Sequence, residues 1–115
     1  MAITELYAVS ETVSTTEWSL TTDTAGPDAD TTDGVFQCWL DLSALLKADL
    51  FRFKVYEKVA SASTQRVVFS ADFANAQSEP IWVSPSLILM HGWDMTLVKV
   101  SGTDRAILAS VRQVA

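Results

Sequence analysis

The chain has 115 residues, 49% of them hydrophobic, and fourteen acidic against eight basic side chains give it a net charge of −6. That length makes one domain with a core large enough to fold without staples, and a lone Cys38 rules out an internal disulfide framework. The acidic balance argues against the basic surface that nucleic acid or an anionic membrane requires, so neither is an expected partner.

The opening MAITELYAVSETVS lacks the basic end and apolar core of a signal peptide, so assembly in the cytoplasm is expected. Within it, TELYAVS and the following STTEWSLTT are rich in β-branched threonine and read as weaker strands. Residues 1–33 are thus expected as an arm or as outlying strands. The biased segment TTDTAGPDADTTDG, residues 21–34, has the glycine, proline and aspartate of an exposed loop.

Three clear strands follow. In VFQCWLDL, Phe36, Cys38, Leu40 and Leu42 share one face, with Gln37, Trp39 and Asp41 on the other. LSALLKAD predicts a helical turn or two with Ser43 as N-cap. FRFKVYEKV alternates Phe51, Phe53, Val55 and Val59 with Arg52, Lys54, Tyr56 and Lys58; Glu57 interrupts the apolar face and predicts a strand end, a bulge or a paired carboxylate. VVFSADF places Val67, Phe69, Ala71 and Phe73 on one side. Runs 80–90, 93–100 and 105–114 complete about eight strands and predict an antiparallel meander with tips at His91–Gly92 and Ser101–Asp104. The fold class expected for residues 1–115 is a single all-β antiparallel β-sandwich, with a jelly roll as one arrangement of eight strands.

The chemistry-bearing residues do not assemble into a recognisable motif. Asp28, Asp30 and Asp33 in DADTTDG lack the spacing, distal glutamate and flanking helices of a calcium loop, so no metal is expected. The only histidine, His91, lies near Ser101 and Asp104 in sequence, but nothing resembles a nucleophile elbow and both segments carry glycine turn signals. His91 is read as a turn residue, with no catalytic residue and no cofactor. Arg52, Lys54 and Lys58 beside Tyr56 read as a solvated strand face. The tryptophans are more informative. PIWVSPSLILM is apolar on both faces: Ile81, Val83, Leu87 and Leu89 are expected inward, and Trp82, Ile88 and Met90 outward. A covering loop, a bulge that shifts the register, or burial against another subunit each accounts for this. The subunit reading assigns Trp82, Ile88, Met90 and the outward Trp39 to an interface, with Trp82 as its anchor.

Residues 34–114, through YEKV, TQRVV, WVSP, HGWDMTL and GTDR, resemble small structural proteins of tailed bacteriophages. The family's final strand carries aromatic residues where this chain has Ile107 and Ala109. The resemblance implies a virion component on the capsid exterior. Its leading form is a decoration or cement protein that binds the major capsid protein across capsomer boundaries, as a homo-oligomer with a trimer favoured. A head–tail connector, tail or fibre-associated protein is the alternative, and a carbohydrate-binding module or small virion hydrolase is the third.

Overall fold

The structure is a computed structural model, and it describes residues 2–114. Ten strands run in chain order: β1 Ile3–Val13, β2 Trp18–Ser19, β3 Thr24–Ala25, β4 Gly34–Asp41, β5 Leu50–Glu57, β6 Arg66–Ala74, β7 Ile81–Val83, β8 Leu87–Leu89, β9 Asp94–Ser101 and β10 Arg105–Val114. One sheet (sheet A) has the order β1-β10-β4-β7, with β8 also on β4, and the other (sheet B) has the order β3-β2-β9-β5-β6. All pairings are antiparallel. Because β7 and β8 lie along the same neighbour, β4, they make one broken strand, and β3 is the short return of a hairpin from β2. Counted so, eight strands lie in two sheets in the order of a jelly roll, one of the arrangements the sequence pattern left open.

Alternation decides the interior. Phe36, Cys38 and Leu40 of β4, Phe51, Phe53 and Val55 of β5, Met95 and Leu97 of β9, and Ile107, Ala109 and Val111 of β10 are all buried. Trp93 is wholly buried, with its ring centroid 4.4 Å from that of Phe36 and its indole N–H donating to the Thr32 carbonyl at 2.7 Å. Edges are short or irregular: β3 has two residues, β7–β8 is broken, and β1 and the β5–β6 ladder carry register shifts. Such features discourage uncontrolled strand addition.

Four local expectations are corrected. The first concerns Trp82. Its strand pairs Trp82 with Leu40 and Val83 with Trp39, whereas after the break Leu87 pairs with Phe36 and Ile88 with Val35. The pairing sum changes by one residue across Ser84–Ser86, and a one-residue slip exchanges inward and outward faces. Trp82 therefore points inward against Phe53, Phe69 and Phe73 at ring distances of 5.3, 6.4 and 5.0 Å, while Ile81 and Val83 point outward. Ser84 holds the bulge. The Cys38 N–H donates to its hydroxyl oxygen and its own N–H donates to the Cys38 carbonyl, both at 2.9 Å.

Second, runs 80–90, 93–100 and 105–114 do not form a meander, because each connection crosses to the opposite sheet. Gly92 and Gly102 do have positive φ, 94° and 95°, but at sheet crossings instead of hairpin tips. Third, LSALLKAD forms turns and no helix; the Ser43 N–H donates to Asp41 Oδ1 at 3.0 Å, so Asp41 caps the turn in place of Ser43. Fourth, the acidic segment is not a free loop. The Asp30 and Trp93 backbones exchange hydrogen bonds of 2.7 and 2.8 Å, Tyr7 donates its hydroxyl to Asp30, and the Asp28 N–H donates to the buried Asp94 at 2.8 Å. Glu57 ends β5 as expected, and its carboxylate accepts the N–H groups of Met90 and His91 at 2.7 and 3.2 Å.

Candidate interaction face

The outer face of sheet A is built from rows of side chains lying opposite one another across the strands. One row runs Ile81, Asp41, Leu108 and Ser10; the next runs Val83, Trp39, Ser110 and Ala8. Beyond these, Gln37, Arg112 and Glu5 lie in register, followed by an apolar row of Ile88, Val35, Val114 and Ile3. Ile88 is 80% exposed, Ile3 69%, and Ile81 and Leu108 53% each. Met90, just past β8, is also exposed. Single exposed apolar residues are ordinary on a protein surface, whereas here a run of them crosses four adjacent strands.

A ridge divides this face. The Arg112 guanidinium carbon lies 4.1 Å from the centroid of the Trp39 ring, a cation–π contact. Trp39 donates its indole N–H to Gln37 Oε1 at 3.1 Å, and Gln37 donates in turn to the Ser84 carbonyl at 3.0 Å, so the ring is held from below. Arg112 Nε reaches Ser110 Oγ at 3.3 Å, and that hydroxyl donates to Glu5 at 2.6 Å. To one side lies a dent of about 170 Å³ lined by Asp41, Ile81 and Leu108. To the other lies one of about 220 Å³ lined by Ile3, Val35, Ser86 and Val114.

Of the expected interface residues, Trp39, Ile88 and Met90 lie on or beside this face, and Trp82 does not. Ile3, Ile81, Leu108 and Arg112 lie on the same face and are not among the residues the sequence pointed to. The outward parity of Leu108 was readable from buried Ile107 and Ala109 on either side, whereas that of Ile81 depended on the bulge at Ser84.

The outer face of sheet B is polar. Glu17 accepts hydrogen bonds from Tyr56 and Thr96, each at 2.5 Å, and lies 3.8 Å from Lys54 Nζ. Burial, and then the Glu17 carboxylate, push the Tyr56 phenol up. Asp94, under the acidic segment, accepts from Ser19 and Thr21 hydroxyls at 3.0 and 2.9 Å; burial raises its carboxyl despite these donors. The Tyr7 phenol is pushed up to about 12, first by burial and then by Asp30. Asp49 is 2% exposed, and the Arg105 guanidinium at 2.7 Å, with the N–H groups of Leu46 and Thr103, holds its carboxyl down at about 2. Burial alone pushes the Cys38 thiol up.

His91 and Ser101–Asp104 flank the two ends of β9, eight residues long and so about 26 Å at the usual strand rise. They do not meet, and Asp104 pairs with Lys99 at 2.6 Å. Among the described residues, no three His, Cys, Asp or Glu side chains come together as a metal-ligand set, and no helix is long and apolar enough to cross a membrane.

No family model matches the chain, and no curated protein matches it. Among solved structures it is similar to a chain described under "Bacillus endospore appendages form a novel family of disulfide-linked pili". The identity is 9% and the TM-score 0.48, over 93% of this chain and 82% of that one. A likeness of that size carries no inference about function.

Proposed function

We propose that this chain is a non-enzymatic structural protein of a tailed-bacteriophage virion, a cement protein on the capsid exterior that binds the major capsid protein across capsomer boundaries. The observation that supports the reading best is the apolar row Ile3, Val114, Val35 and Ile88, with Met90 beside it, laid across the outer face of sheet A. Burying such a row releases roughly 25 cal/mol for each Å² of apolar surface, and neither metal nor cofactor is needed for it. The phage-like motifs of residues 34–114 supply the class of partner. Each copy contributes a modest contact, and many copies on a lattice add up to strong adhesion against internal pressure.

The test is binding of purified protein to capsid shells that lack it, followed by mass measurement of the decorated shells. Saturation at a number matching the capsomer boundaries is expected, with binding lost in Ile88→Glu. Saturation at a single ring would assign the chain to a connector or tail position. No binding to any virion part would overturn the reading.

A further inference from the structure

We propose that a second copy of this chain packs on the Asp41, Ile81 and Leu108 half of the outer face of sheet A, in a two-fold pair that sets each Trp39–Arg112 ridge into the other copy's dent. The pairing is a property of the chain alone and stands apart from the capsid reading.

Three observations carry it. The first is relief. A ridge with a dent directly beside it on one surface is self-complementary about an axis running between the two, which is the condition for an isologous pair. The ridge is Arg112 stacked on Trp39, and the adjoining dent of about 170 Å³ is lined by Asp41, Ile81 and Leu108.

The second is charge. The ion pairs among the described residues are Arg52–Asp72, Lys54–Glu17, Lys99–Asp104 and Arg105–Asp49, and Arg112 belongs to none of them. Asp41 uses one carboxylate oxygen to cap the turn at Ser43, and the Ser43 hydrogen bonds hold it ionised. In the pair, Arg112 of each copy reaches Asp41 of the other. That gives two symmetric, charge-assisted contacts at the rim of an apolar patch.

The third is the distribution of charge over the whole surface. The outward positions of sheet A carry only Glu5, Asp41 and Arg112, a net of −1 (two carboxylates less one guanidinium), in a chain of net −6. The face thus carries little of the chain's net charge to oppose the approach of a second copy. The pair leaves the Ile3, Val35 and Ile88 half open, so a dimer presents that apolar row twice. A three-fold ring would need two different complementary patches, whereas here ridge and dent lie on one.

Sedimentation equilibrium across micromolar concentrations, with thermal unfolding of each variant as the check on folding, tests the proposal. Wild type is expected to run as a dimer and Leu108→Glu as a folded monomer, while Ile88→Glu stays dimeric. The single reversals Arg112→Glu and Asp41→Arg should each weaken dimerisation by about tenfold or more, the range seen for close interfacial charge pairs. The double reversal should recover most of that loss. A folded wild-type monomer at all concentrations, a trimer, a Leu108→Glu dimer as tight as wild type, or double reversal without recovery would each overturn it. If Leu108→Glu fails to fold, the more conservative Ile81→Ser takes its place under the same criteria.

Discussion

Ser84→Ala removes one hydroxyl, and that hydroxyl holds the bulge that aims Trp82 at the core. In the folded chain the buried Cys38 N–H donates to Ser84 Oγ at 2.9 Å, and the hydroxyl donates in turn to the Pro85 carbonyl, also at 2.9 Å. With alanine there, the Cys38 N–H faces a methyl group in a site closed to water, and an unsatisfied buried donor costs about 1–3 kcal/mol. Unfolding entropy near 2.1 cal/mol/K per residue gives about 0.24 kcal/mol/K for a chain of 115 residues, so each kcal/mol shifts Tm by about 4 °C. The expected drop is therefore about 4–12 °C by differential scanning calorimetry. Ser86→Ala serves as the control: Ser86 is exposed on the same break, and its change should stay within about 2 °C. Equal Tm values for Ser84→Ala and the control would refute the claim that this hydroxyl sets the register.

Trp82→Ala should destabilise the fold by about 3 kcal/mol, near the lower end for tryptophan truncation because the ring is half-buried, as measured by urea unfolding. Its self-association, measured on the folded fraction, should match wild type, since the ring packs on Phe53 and Phe73 in its own chain. Asp49 gives an acid limb to stability. Its carboxyl is held at about 2 in the folded chain, below its ordinary value, so its contribution is fully present above about pH 4 and is lost as pH falls through about 2. Asp94 has the opposite sign: burial raises its carboxyl, so its ionisation opposes folding at neutral pH and acidification relieves that penalty. Tm measured from pH 6 to pH 2 should accordingly fall less steeply in Asp49→Asn than in wild type, with the two curves converging at the acid end.

The sandwich was legible because period two is a local signal. VFQCWLDL and FRFKVYEKV declare their inner faces residue by residue, and those residues are buried except Val59, which lies past the end of β5 and is exposed. Strand order was not legible: His91–Gly92 and Ser101–Asp104 carry the same glycine signal whether the chain turns back in one sheet or crosses to the other. The fate of Trp82 was hidden for a different reason. Its parity relative to Leu87 and Leu89 is reset by one extra residue at Ser84–Ser86, and the hydrogen bond that fixes this insertion comes from β4, more than forty residues away in sequence. The apolar outer face of sheet A follows from the same slip. An unbroken alternation through PIWVSPSLILM would hide Ile81 and Val83, whereas the bulge turns them outward beside Trp39 and Leu108. The acidic segment misled because its composition is that of a solvated loop, while its attachment depends on Tyr7, Gln65, Trp93 and Asp94 from distant strands.

The central claim is that the outer face of sheet A is covered in the assembled state, and cysteine labelling tests it most directly. The one native thiol, Cys38, is buried with its acidity suppressed, so a single introduced cysteine reports alone. Ile88→Cys places it on the apolar row, and Ser70→Cys places it on exposed β6 of the other sheet. In free protein at low concentration both should react with a maleimide at similar rates. On decorated capsid shells, Ile88→Cys should lose most of its reactivity while Ser70→Cys keeps its own. Protection of Ser70→Cys with Ile88→Cys still reactive would contradict the account.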